Sequence, residues 1–123
     1  MDQWPHIKIQ ITFLPPKQGG RTNPPVLVSE NGTYRPHIVI GDPMQRTPIM
    51  VGNEIREAYL GLVFMSGPTD VQFGELIEAE AALMYYPQPE HASVVPGATF
   101  TIREGPKIVG YGRVKDVCLP NDA

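Results

Sequence analysis

The side chains with which this chain could carry out chemistry are few and scattered. Its histidines, His6, His37 and His91, stand far apart, and none falls in a spacing such as His-Glu-x-x-His that would set two imidazoles on one metal ion. Solvated or structural roles are expected for all three. Ser29, Ser66 and Ser93 lie outside any Gly-x-Ser-x-Gly elbow, so no serine is presented as a nucleophile. Cys118 is the single cysteine, which rules out an internal disulfide or a cysteine metal site, and the nearby carboxylate of Asp116 would not favour its thiolate. Glu78 and Glu80 could in principle share acid–base work, but their spacing is that of the solvated side of a strand. No Gly-x-x-x-x-Gly-Lys-[Ser/Thr] loop is present to cradle a phosphate. The expectation is a protein without catalytic activity, cofactor, metal or GTP.

Charge and composition narrow the classes further. A formal net charge of −3 does not suit a protein that embraces nucleic acid over a large face, although a local basic patch stays open. Arg21, Arg35, Arg103, Lys107 and Arg113 can be read as dispersed, solvated charges. The hydrophobic share of 41% and charged share of 19% are those of a folded domain, and 123 residues suffice for one core rather than two. With 14 prolines and 12 glycines in no regular period, many turns between short elements are expected, which favours an all-β fold. The first residues lack the basic and apolar regions of a secretory signal, and no run approaches the roughly 18 apolar residues of a membrane span. A cytoplasmic protein is expected, with no membrane partner.

Alternation locates the elements. In residues 6–13, Ile7, Ile9, Ile11 and Phe13 fall on one face and Lys8, Gln10 and Thr12 on the other, the signature of a half-buried strand. Residues 17–31 form a polar loop closing on the turn signal Asn31-Gly32, and a second strand is expected over 33–40. Pro36 cannot donate to a ladder and places that point at an edge or bulge. Residues 41–57 are the least regular stretch, a long excursion around the apolar run Ile49-Met50-Val51. A third strand is expected over 58–65. Residues 76–86 are rich in helix formers, yet Ile77, Ala79, Ala81, Leu83 and Tyr85 also alternate onto one face. Residues 98–104 and 107–117, separated by Gly105-Pro106, read as a closing hairpin in which Gly110 and Gly112 allow a close approach.

That hairpin, Thr101-Ile102-Arg103-Glu104-Gly105-Pro106-Lys107-Ile108-Val109-Gly110-Tyr111-Gly112-Arg113-Val114, resembles the end of translation elongation factor Tu, where an Ile-Arg-Glu-Gly-Gly-Arg-Thr-Val-Gly-x-Gly-x-Val pattern occurs. Gly19-Gly20-Arg21-Thr22-Asn23-Pro24 is similar to that family's Gly-Gly-Arg-x-x-Pro loop, Tyr34-Arg35-Pro36 to its Tyr-Arg-Pro strand, and Phe73-Gly74-Glu75 to its Pro-Gly-Asp turn. Gly61 matches the glycine of the family's third strand. The similarities follow the family's order from residue 6 to 117. They imply a six-stranded antiparallel β-barrel like the C-terminal domain of that factor, with residues 76–86 as a strand. Two departures alter surfaces rather than core: residues 41–57 replace a threonine-rich segment, and Pro106 replaces the hairpin's second glycine.

The resemblance also bears on partners. In the family, the Gly-Gly-Arg loop and the final Glu-Gly turn lean on the T stem of aminoacyl-tRNA. It therefore implies candidate RNA contacts at Arg21, Gly105 and Lys107, with Arg35 and Arg103 nearby, for tRNA or another structured RNA. The competing expectation is a protein-interaction module that meets another protein, or a second copy of itself, through Met44, Ile49, Met50, Val51 and Tyr34. Protein binding ranks modestly above RNA binding, because residues 41–57 offer apolar side chains and a mixed charge rather than a basic face.

Overall fold

The computed structural model describes residues 4–30 and 33–119. The turn expected at Asn31-Gly32 lies outside the described residues. Among the described residues there are eight strands: β1 His6–Phe13, β2 His37–Ile40, β3 Met50–Val51, β4 Glu54–Ile55, β5 Leu60–Ser66, β6 Ile77–Leu83, β7 Thr99–Glu104 and β8 Lys107–Cys118. Six of them close an antiparallel barrel in the order β1-β6-β5-β2-β7-β8, while β3 and β4 form a separate hairpin. This is the all-β, six-stranded barrel expected from the sequence.

The alternation in β1 does what period-two patterning requires. Ile7, Ile9, Ile11 and Phe13 are each no more than 1% exposed and join Leu62, Phe64, Phe100 and Ile102 in the core. Residues 76–86 resolve in favour of strand: Ile77, Ala79, Ala81 and Leu83 point inward, and β6 lies between β1 and β5. Pairing on both sides supplies ladder hydrogen bonds and burial that outweigh helix propensity. The element is shorter than expected, however. It ends at Leu83, and Tyr85 is 66% exposed with a left-handed φ of 60°, so it does not continue the inward face. Pro36 sits just before β2, where its carbonyl accepts from Leu62 N–H at 2.9 Å and its missing donor costs nothing.

The closing hairpin packs as tightly as its glycines suggest. A Cβ on Gly110 would stand 2.6 Å from the Thr12 carbonyl oxygen, and one on Gly112 would stand 2.3 Å from that of Gln10. Both glycines lie on β8 against β1 and the rings of Phe13 and Phe100, leaving no room for a side chain. A register shift between Ile102 and Arg103 makes Val109 an extra residue in β8, so that Ile108 and Val109 are both buried.

Candidate functional site

The irregular excursion at residues 41–57 is an anchored hairpin. Its base is a guanidinium–carboxylate pair: Arg103 Nη1 donates to Glu57 Oε1 at 2.8 Å and Nη2 to Oε2 at 2.9 Å. The Arg103 side chain is 0% exposed and that of Glu57 3%. Arg103 also donates from Nε to Thr101 Oγ1 at 2.8 Å and from Nη1 to the Tyr59 hydroxyl at 3.1 Å, with its guanidinium 5.5 Å from the Tyr59 ring centroid. Glu57 in turn accepts from Gln45 Nε2 at 2.8 Å and from the Ile49 N–H at 3.0 Å. These bonds, chiefly those from Arg103, hold the Glu57 carboxyl down at about 2 against an ordinary 4.5.

The strand geometry explains where this pair sits. Thr101 and Arg103 alternate with the core residues Phe100 and Ile102, so they lie on the outer face of β7, yet both are buried. What covers them is the excursion and the segment leading into β5. Arg46 lies 5.2 Å over the ring of Tyr111, which pairs with Thr101, and Tyr59 meets the ring of His37, which pairs with Arg103. The excursion thus docks on the barrel through polar and charged groups. Its apolar side chains face away: Met44 is 68% exposed, Ile49 56%, Met50 46% and Val51 59%.

Two of the sequence-based candidates are corrected here. Arg103 is not an open cation for phosphate, because it is enclosed by Glu57, Thr101 and Tyr59. Tyr34 is not part of an exposed partner face. Its ring stacks on Phe64 at 5.8 Å and packs near Phe13 at 6.0 Å, and its hydroxyl donates to Glu104. Burial first, and then that hydrogen bond, push the phenol far above its ordinary value.

Of the remaining basic candidates, Arg21 and Lys107 lie at the β7–β8 turn. Arg21, Thr22, Asn23, Glu104 and Lys107 line a polar depression of about 250 Å³. Gly105 makes the turn there with φ 60°, a conformation that favours glycine, and Arg35 is exposed two residues before His37. Arg21 is committed inside the protein. Its Nη1 donates to Glu104, its Nε donates to the Asn23 carbonyl at 3.0 Å, and its guanidinium lies 5.3 Å from the Tyr34 ring centroid. Of the five candidate RNA contacts, Arg21, Gly105 and Lys107 thus lie at this turn, and Arg21 is already matched by a carboxylate.

Glu57, Gln45 and Tyr59 escaped the reading of the sequence. Glu57 lies 46 residues from Arg103, and nothing in the local pattern marks an outer strand face as covered. No group of three or more His, Cys, Asp or Glu among the described residues is placed to hold a metal ion, and no helix among them is long and apolar enough to cross a membrane. The sequence matches no protein-family model and no curated protein.

Proposed function

We infer that the chain is a protein-interaction module, built as a barrel that presents the hairpin of residues 41–57 to a partner protein. One observation carries this reading: four large apolar side chains, Met44, Ile49, Met50 and Val51, are 46–68% exposed on a segment that a buried bidentate ion pair holds in place. A hairpin fixed at its base loses less conformational freedom on association than a free loop, and methionines adapt to the shape of an apolar partner surface. The charge of the segment is nearly balanced among its own neighbours, since Glu57 pairs with Arg103 and Glu54 with Arg56. That suits a protein contact better than a polyanion. The resemblance to the C-terminal barrel of elongation factor Tu agrees with the closed six-stranded fold, and it supplies a scaffold rather than an activity.

A second reading, binding of tRNA or another structured RNA, is favoured by the gathering of Arg21, Lys107 and Gly105 at one turn. It ranks lower because Glu104 neutralises Arg21 and Arg103 is enclosed, which leaves Lys107 and Arg35 as the open cations of the five candidates. The composition of what co-purifies with the untagged chain from its own cell extract separates the two. Protein identified by mass spectrometry, with no nucleic acid absorbance, is expected. Stoichiometric RNA would replace the first reading by the second.

A further inference from the structure

Residues 41–57 add little to what holds the barrel together. None of them is buried as a whole residue, and none supplies an apolar side chain to the core. Among the described residues, the hydrogen bonds that cross from residues 42–57 to the barrel are the two that Arg103 gives to Glu57, joined by the contact of Arg46 with the Tyr111 ring. The segment's other bonds close within it. Gln45 donates to Glu57 and to the Thr47 carbonyl, Arg46 to the Pro43 carbonyl, and the Arg56 N–H to the Ile49 carbonyl. A segment so tied keeps its own shape when it leaves the barrel.

Lifting this segment exposes little apolar surface, so the hydrophobic term that holds strands to a core hardly opposes it. What is lost is one ion pair, and water offsets part of that loss because both charges are hydrated again once they separate. Moving β7 or β8 is a different matter, since Phe100, Ile102, Val109 and Val114 would have to leave the core. Opening the segment therefore costs less than unfolding the barrel. Its two ends suit a hinge. Gly41 stays tied to Thr99, N–H to carbonyl at 2.9 Å and carbonyl to the Thr99 hydroxyl at 2.8 Å, and at the other end β5 begins at Leu60.

We propose that residues 42–57 are a lid that swings off β7 and β8 while the barrel stays folded, latched by Glu57 on Arg103 and uncovering the Arg103 guanidinium when open. In the closed ground state Thr101 and Arg103 are 1% and 0% exposed, although they stand on an outer strand face. In the open state Arg103 lies beside His37 and Thr101 beside Tyr111, their partners across the ladder, with no carboxylate over them. A guanidinium released from Glu57 keeps its paired donors for a carboxylate or phosphate from outside. Opening thus turns a charge-matched surface into a cationic one. The motion needs no partner protein, so its test and that of the hairpin's association succeed or fail separately.

Hydrogen exchange followed by NMR on the ¹⁵N-labelled full chain reads the lid directly. The Arg103 Nε–H, which donates to Thr101 beneath the lid, is expected to be protected at least about a hundredfold less than the barrel amides of Leu62 and Val114, and to respond weakly to low urea. Glu57→Gln should lower the protection of the Arg103 Nε–H by at least about tenfold, as loss of a buried counter-charge implies. A covalent reading uses two neighbours on opposite faces of β7 in a Cys118→Ser background. Thr101→Cys, under the lid, should react with a small disulfide reagent at least about tenfold faster than Ile102→Cys, which is reached only through the core. Equal protection of the Arg103 Nε–H and the barrel amides would overturn the proposal, as would a Glu57→Gln chain with unchanged protection. So would fast exchange at Arg103 with Thr101→Cys no more reactive than Ile102→Cys, since that is movement of one side chain and not of a lid.

Discussion

Placing a guanidinium where it has no exposed surface removes its hydration, and only a matched set of acceptors makes that tolerable. Arg103 has such a set in both oxygens of Glu57, with Thr101 and Tyr59 completing its donors. Removing one partner therefore costs more than the pair is worth. Glu57→Gln should destabilise the chain by about 3 kcal/mol in urea unfolding, because the arginine stays buried without its counter-charge. Replacing both by apolar residues, Arg103→Met with Glu57→Leu, should cost clearly less than the single change. The pair also sets an acid limit. The carboxyl of Glu57 is held at about 2 in the folded chain against 4.5 ordinarily, so its contribution is complete above about pH 4.5 and is lost as pH falls toward 2. Melting temperatures of the native chain and Glu57→Gln should accordingly converge over that interval and differ most above it. At this scale the sequence was least informative. Arg103 on an alternating strand reads as a solvated charge, and only the fold shows that residues 41–57 close over it.

At the scale of elements, far more was legible. Strict alternation in β1 and the glycines of β8 act through local rules, period two and absence of a side chain, and both reappear as buried face and close approach. The prediction for the hairpin follows directly. Gly110→Val and Gly112→Val should each destabilise by on the order of 1–3 kcal/mol through overpacking against β1, read as a lowered midpoint in chemical denaturation. Unchanged midpoints would mean that β8 can move away from β1 without loss. Residues 76–86 were ambiguous because helix propensity and strand alternation coexist there, and the decision came from pairing with β1 and β5, a non-local effect. The hairpin β3–β4 was hidden for a related reason. Each of its strands is two residues long, too short for any period to show.

At the scale of the whole molecule, the barrel carries two distinct outer regions: the polar turn of β7–β8 and the hairpin of residues 41–57. Neither resembles a nucleotide cradle, and the chain contains no phosphate-binding loop. Calorimetric titration with GTP and magnesium should give no saturable heat in the micromolar range. The functional proposal turns on which of the two outer regions meets a partner. The most direct measurement compares two variants in co-purification and light scattering. In one, Ile49, Met50 and Val51 are all replaced by serine; in the other, Arg21→Ala is combined with Lys107→Ala. The hairpin variant should keep its melting temperature, since those side chains are already 46–59% exposed, and should lose the associated protein or self-association, while the charge variant keeps it. Retention by the hairpin variant with loss by the charge variant, or a native chain that associates with no protein at all, would contradict the proposal.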